Sequence, residues 1–161
     1  MGKEEFKRLF DTHFDAIRRY LYYRCSDTEL ASDVAQDLFT RIWEKQMDID
    51  PLKDKALLYK MASDMIVSKF RRKKIEMNYA GSIVFTNDDS SVSDQVEYEE
   101  LARKYSSTLV KMPEKQRTAY MMSREESLKY SEIAERLNIS VKAVEKRMAG
   151  ALELLRRELS I

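Results

Sequence analysis

Apolar residues recur at intervals of three and four along most of the first 74 residues, the spacing of one helix face. This pattern predicts amphipathic helices over residues 4–24, 27–45 and 53–74. Ser26-Asp27 separates the first two helices, since Asp is a good N-cap, and Asp50-Pro51 separates the second from the third. The apolar positions of the second helix are Leu30, Val34, Leu38 and Ile42.

In the second half of the chain apolar residues again recur at helical spacing, after a stretch that lacks this spacing. Residues 75–93 lose the helical spacing, and residues 87–91, Asn-Asp-Asp-Ser-Ser, have the composition of a flexible linker. No stretch alternates apolar and polar residues for long, so we expect an all-α protein of two small helical domains joined by a flexible acidic linker. The later helices are predicted over residues 94–111, 114–124, 131–137 and 141–159, with Pro113 in the first turn of the second of them.

Residues 130–148 fit a helix-turn-helix. Small Ala134 permits a close helix crossing, Asn138 tolerates the left-handed turn, Ile139 fills the angle between the helices and Ser140 caps the second one. The C-terminal domain is therefore predicted to be a helix-turn-helix. A set of five residues then faces outward at the start of the second helix: Lys142, Ala143, Glu145, Lys146 and Arg147.

An outward face of this kind suits the major groove of DNA, where the first residues of a recognition helix contact base edges. Lys146 and Arg147 can meet phosphates or guanine edges, and Glu145 can accept from cytosine or pair along its own helix. The alternative is a plain helical hairpin with a charged face. The coincidence of cap, turn and filling residues favours DNA binding.

The charge is unevenly spread, although the net charge is only +1. Residues 51–80 hold 8 Lys and Arg against 3 Asp and Glu, and residues 101–161 hold 13 against 8. Residues 81–100 between them hold 6 acids and no Lys or Arg. Two basic blocks on either side of an acidic one predict two contacts with a polyanion.

The sequence shows no pattern typical of a catalytic or metal-binding site. One Cys and one His do not make a zinc cluster, and the sequence has no nucleophile–base pair, Gly-rich phosphate loop or metal-type carboxylate pattern. We therefore expect no enzyme activity, cofactor, metal or small-molecule substrate, and we expect Cys25 to be a buried, inert thiol. The absence of a long apolar run and of a secretory signal predicts a cytoplasmic protein.

Residues 33–43 carry an apolar stripe and a polar one, ending in Phe39 and Trp43. The polar stripe is either a solvated face or a protein-docking face, and the residues alone leave both open. It consists of Asp33, Gln36, Asp37 and Arg41.

Three segments in series resemble the extracytoplasmic-function sigma factors. Residues 33–43 resemble the helix that grips RNA polymerase. Residues 57–62 with 70–74, Phe-Arg-Arg-Lys-Lys, resemble the segment that reads and melts the −10 promoter element. Residues 112–156, which begin Met-Pro-Glu-Lys-Gln-Arg, resemble the domain that binds the −35 element.

The resemblance implies roles by position. The polar stripe would contact core RNA polymerase, and the five outward residues at the start of the last helix would face the −35 element. Arg71 to Lys74 would hold phosphates. An anti-sigma factor, which in this family is often membrane-associated, would be a further partner. The −10 surface would comprise Lys60, Ser63, Asp64, Ser68, Lys69, Arg71, Arg72, Lys73 and Lys74.

The implied domains are residues 1–75 for polymerase binding and the −10 element, 76–94 as linker, and 95–161 for the −35 element. Two positions depart from the usual family pattern, which has Asn where Asp64 stands and Asp where Ser68 stands. Tyr59 and Phe70 could stack on unpaired bases or belong to the core.

The predicted function is that of an alternative sigma factor, which binds core RNA polymerase, recognises promoter DNA and initiates transcription. The rival functions are a stand-alone helix-turn-helix regulator and a helical adaptor. The first predicts specific duplex binding by the isolated chain, whereas the second predicts no role for Lys146 and Arg147 beyond surface charge.

Overall fold

The computed structural model describes residues 1–73 and 95–160, and in this part of the chain every regular element is a helix. The all-α prediction is confirmed. The helices are α1 (Lys3–Cys25), α2 (Thr28–Glu44), α3 (Lys55–Lys73), α4 (Gln95–Lys111), α5 (Glu114–Glu126), α6 (Tyr130–Leu137) and α7 (Val141–Leu159).

The N-terminal half packs α2 and α3 against the long helix α1. Ser26 ends α1 in the left-handed conformation (φ 57°), and the Asp27 side chain accepts a hydrogen bond from the Leu30 N–H at 3.1 Å to begin α2. The predicted break between the two helices is therefore confirmed. The apolar stripes meet in an aromatic cluster, where the Phe10 ring lies 4.5 Å from that of Phe14 and 5.3 Å from that of Phe39.

The C-terminal half contains the predicted helix-turn-helix in α6 and α7. Asn138 takes the left-handed conformation (φ 54°), and the Ser140 hydroxyl accepts from the Ala143 N–H at 3.0 Å. Ile133 and Val144 are fully buried, and Met148, on the same side of α7 as Val144, is 5% exposed. One detail differs from the prediction: Pro113 is the N-cap of α5 and not its first helical residue, because its ψ of 137° is extended.

The two halves are packed together, since α1 contacts α5 and α3 contacts α6. Arg117 of α5 is buried in this contact and donates to the carbonyl oxygens of Tyr23 at 2.6 Å and Arg24 at 2.7 Å. These oxygens belong to the last turn of α1, where a helix has no backbone donors of its own left. The same guanidinium also donates to the carbonyl oxygens of Leu109 and Val110 in the last turn of α4 and of Met112 between α4 and α5.

Cys25 is buried, as expected, and burial raises the pKa of its thiol to about 11. The thiol is therefore protonated and unreactive near neutral pH. Among the described residues, no helix is long and apolar enough to cross a membrane.

Candidate polymerase and nucleic-acid interfaces

The polar stripe of α2 lies on the outer surface of the N-terminal half. Its four residues, Asp33, Gln36, Asp37 and Arg41, are all exposed. The opposite side of the helix is held in the core, because Val34, Leu38 and Ile42 have no solvent exposure. The burial of one side fixes which side of α2 is presented to a partner.

Asp37 is also joined to the neighbouring helix. Its carboxylate forms an ion pair with the Lys69 ammonium of α3. Both side chains remain partly exposed, at 51% and 34%. The pair connects a residue predicted to contact polymerase with one predicted to contact DNA.

The predicted −10 surface follows one side of α3. Lys60, Asp64 and Ser68 recur every four residues and are exposed, and Ser63 and Lys69 beside them are half-buried. Leu58, Ala62 and Ile66 lie on the core side. Within the side chains that the structure describes, Lys60, Asp64 and Ser68 share one helix face, and Ser63 and Lys69 lie toward the core on opposite sides of it. Arg71, Arg72, Lys73 and Lys74 lie outside the described side chains, as does the predicted linker.

A cleft of ≈ 370 Å³ separates this part of α3 from the C-terminal half. Lys60 and Ser63 line it on one side, and Arg136 and Asn138 line it on the other. The predicted −10 surface is thus partly turned toward α6 and not wholly toward solvent.

Tyr59 belongs to the core in this arrangement. It is 3% exposed, its ring lies 5.0 Å from that of Tyr20 in an edge contact, and its hydroxyl accepts from Arg136 at 3.3 Å. Burial raises the pKa of the Tyr59 hydroxyl. The face of this ring is not available for stacking on a base while the halves are packed. The side chain of Phe70 lies outside the described residues.

The predicted −35 face is the start of α7. Lys142, Glu145 and Lys146 are exposed, whereas Ala143 and Arg147 are half-buried. The difference has a simple geometric reason, since positions 143 and 147 immediately precede the buried positions 144 and 148 on the helix. Three of the five predicted residues are thus fully presented to a ligand and two lie at the edge of the face.

Sequence reasoning missed the residues that join the halves. Arg24 lies four residues after Tyr20 and its side chain is only 11% exposed. It donates to the Tyr20 hydroxyl at 3.1 Å and to the Ser63 hydroxyl, and it pairs with Glu114 of α5. A basic residue on the apolar side of a predicted helix was the available signal, but it did not indicate the partner.

A second ion pair crosses the contact between the halves. Arg19 of α1 donates to Glu126 of α5 at 3.2 Å, and Arg136 lies 3.8 Å from the same carboxylate oxygen.

In the described part of the chain, no group of three or more His, Cys, Asp or Glu could hold a metal ion.

Two family models match the chain. The model of sigma-70 region 2 matches residues 9–75, and that of sigma-70 region 4 matches residues 98–155. The chain belongs to the sigma-70 family. Region 2 thus contains the exposed stripe of α2 and the surface of α3, and region 4 contains the helix-turn-helix.

Relatives place this sigma factor in the extracytoplasmic-function group. It is 28% identical over 151 residues to the ferric citrate uptake sigma factor FecI of Escherichia coli (strain K12), covering 92% of this chain and 87% of FecI. It is 28% identical over 169 residues to the ECF RNA polymerase sigma factor SigW of Bacillus subtilis (strain 168), covering 98% of this chain and 90% of SigW. The predicted family and function, an alternative sigma factor that initiates transcription, are confirmed.

A solved structure shares the fold. The sigma factor RpoE from Bartonella quintana, in a complex with the anti-sigma factor NepR, superposes with a TM-score of 0.60 at 19% identity. The match covers 98% of this sigma factor and 98% of that chain.

Proposed function

We propose that residues 1–75 of this sigma factor bind core RNA polymerase and the −10 element, and that residues 95–161 bind the −35 element, with residues 76–94 as the connection. The observation that carries the proposal is the exposed stripe of α2 beside the polar face of α3. Asp37 and Lys69 join the two surfaces, so polymerase and DNA would meet the protein on adjacent helices.

The polymerase contact rests on α2. Asp33, Gln36, Asp37 and Arg41 offer acidic, amide and basic groups along a rigid helix. Charged groups of this kind contribute mainly to specificity and association rate at a protein interface. Trp43, 39% exposed at the end of the same helix, adds an aromatic anchor of the type that carries binding energy.

The DNA contacts are divided between the halves. Lys60 and Lys69 of α3 lie beside the polar side chains of Ser63, Asp64 and Ser68. At the start of α7, Lys142, Lys146 and Arg147 provide positive charge and Glu145 and Ala143 the remaining face. Positive groups supply sequence-independent affinity for phosphate, whereas base contacts supply specificity.

The packed arrangement differs from the one that a promoter requires. Elements centred at −10 and −35 lie about 25 base pairs apart, which is roughly 85 Å of duplex at 3.4 Å per base pair. A compact chain of this length has a diameter of only about 40 Å. The two halves would therefore separate when both elements are bound.

The remaining partner is an inhibitor. RpoE of Bartonella quintana is bound to the anti-sigma factor NepR. We extend this to an anti-sigma partner for the present sigma factor. The sigma factor would act in the cytoplasm, where the polymerase performs the chemistry and the sigma factor itself has no catalytic step.

Run-off transcription tests the proposal. Core polymerase from the source organism is assayed with and without the sigma factor on the promoter region of its own gene. We expect a specific transcript that is lost with Asp37→Arg, because a new cation would be placed in the polymerase contact.

Two variants serve as controls in a polymerase pull-down. Lys69→Gln removes the same ion pair but leaves Asp37 in place, and Asp11→Arg makes the same charge change on the exposed side of α1. Both are expected to bind core polymerase normally. A wild-type protein that neither binds core polymerase nor starts a transcript would contradict the proposal, and specific duplex binding by the isolated chain would then favour a stand-alone regulator.

A further inference from the structure

Arg24 occupies an unusual place at the end of α1, where the two halves meet. Its guanidinium donates to the hydroxyls of Tyr20 and Ser63 in the N-terminal half and pairs with Glu114 in the C-terminal half. The fork of donors in Arg suits two partners at once. Arg24 is thus attached to its own half by two hydroxyls and to the other half by one carboxylate.

The hydroxyl partner Ser63 belongs to the −10 surface. Lys60, one turn before it on α3, lines the same cleft between the halves. A cation held on Ser63 borders the predicted −10 surface, where a DNA strand following α3 would bring its phosphates. The geometry therefore extends the basic part of this surface from α3 onto α1.

The carboxylate partner resembles a phosphate in what it offers to arginine. Both groups are anionic, and both accept paired hydrogen bonds from a guanidinium. Glu114 lies in the first turn of α5, and its side chain is still 42% exposed. Because the Arg24 side chain is only 11% exposed, a ligand would reach its guanidinium only once Glu114 has moved away.

We propose that Arg24 is a further contact to the promoter strand beside Ser63, and that Glu114 takes the place of a DNA phosphate on it while the halves are packed. The proposal rests on the assignment of α3 to the −10 element. It makes DNA at this surface and the α1–α5 contact mutually exclusive.

The backbone of Arg24 also contacts the C-terminal half. Its carbonyl oxygen accepts from Arg117 at 2.7 Å, so α5 holds the residue through main chain and side chain together. Separation of the C-terminal half from α1 would break both the hydrogen bond from Arg117 and the ion pair with Glu114. The hydrogen bonds to Tyr20 and Ser63 lie within the N-terminal half and would keep the guanidinium oriented.

The test uses the full chain without polymerase and a fluorescein-labelled 20-nucleotide oligothymidylate, with binding followed by fluorescence anisotropy between 50 and 200 mM salt. Glu114→Gln is expected to tighten binding about two- to fivefold at low salt, the range of one freed surface charge contact. It should also steepen the slope of log K against log salt by about 0.7, the value for one cation on a single strand.

Three further variants identify Arg24 as the group that is freed. Glu125→Gln removes the same charge from an exposed position of the same helix and is expected to change little. Arg24→Gln in the Glu114→Gln background should abolish the gain. Arg24→Lys in that background should keep the salt slope but lose part of the affinity, because the charge remains and the fork is lost. Circular dichroism confirms folding of each variant.

The proposal is overturned if Glu114→Gln binds no more tightly than the wild type, if Glu125→Gln gains as much, or if the gain survives Arg24→Gln. Run-off transcription by the wild-type holoenzyme is measured in parallel. If the wild-type holoenzyme transcribes but one of these outcomes is found, Arg24 has no such role and the sigma-factor assignment stands. If the wild-type protein does not bind core polymerase, the sigma-factor assignment itself is wrong.

Discussion

The two predicted DNA surfaces of this sigma factor differ in how far they are exposed to solvent. The −35 face at the start of α7 presents Lys142, Glu145 and Lys146 to solvent. The −10 face along α3 borders a cleft that α6 closes from the other side, and its Ser63 is bonded to Arg24 in the contact between the halves. One surface is open in the packed arrangement, and the other shares residues with an internal contact.

The difference follows from what lies next to each surface. The start of α7 is a helix face that its own half does not cover, so its charges stay hydrated. The corresponding part of α3 contains Tyr59, which is buried against Tyr20 and whose hydroxyl accepts from Arg136 of the other half. The packing of the halves therefore covers part of one predicted DNA surface and leaves the other exposed.

The largest expected effect comes from Arg117→Met, which breaks the contact between the halves. The substitution removes the donors of five carbonyl oxygens, two at the end of α1, two in the last turn of α4 and one between α4 and α5. Loss of a buried, hydrogen-bonded charge that leaves its partners unsatisfied costs on the order of 3–4 kcal/mol. Urea unfolding should show this loss, whereas Arg124→Met, at an exposed position of the same helix, should change the midpoint little. A loss below about 1 kcal/mol would mean that Arg117 does not hold the halves together.

The second largest effect is expected at the exposed −35 face at the start of α7. Lys146→Glu with Arg147→Glu is expected to weaken promoter binding by the holoenzyme on the order of 100-fold, since each basic contact contributes about 1–3 kcal/mol. The unfolding midpoint should stay near that of the wild type, because Lys146 is exposed and Arg147 only half-buried.

Arg156→Glu with Arg157→Glu is the matched control, with the same charge change at the exposed far end of α7. Filter-binding with core polymerase and promoter DNA measures both pairs. Equal weakening by the two pairs would show that the start of α7 has no special role.

The smallest expected effect concerns pH and His13 of α1. Its Nε2–H donates to the Pro51 carbonyl at 2.6 Å, and burial lowers the pKa of the imidazole, helped by the charges of Lys55 and Arg136. Because the folded pKa lies below the unfolded value of about 6.5, the neutral form stabilises the fold above that pH. Stability should then fall as the pH drops below about 6.5 toward the lowered folded pKa.

Thermal unfolding at pH 7.5 and 5.5 measures this effect. His13→Gln, which keeps a donor but does not titrate, should show a smaller decrease than the wild type over this interval. An equal decrease in both proteins would assign the pH dependence to other groups.

Local signals explain why much of the fold could be predicted. The N-cap at Asp27, the left-handed Asn138 and the cap at Ser140 act within a few residues of the chain, so their side chains determine the local backbone. The burial of Val34, Leu38 and Ile42 likewise follows from their spacing of four on one helix. The same spacing placed Asp33, Gln36, Asp37 and Arg41 together on the opposite side.

The sequence by itself thus determined the helices, the helix-turn-helix and the polar faces, because these depend on neighbours three or four residues apart. Only the tertiary structure decided that Arg24 meets Ser63 and Glu114, which lie 39 and 90 residues away along the chain. Only it decided that Arg117 caps the end of α1 and that Tyr59 is buried beneath Arg136. Such contacts depend on how two helical units pack, and the spacing of residues within one helix does not carry that information.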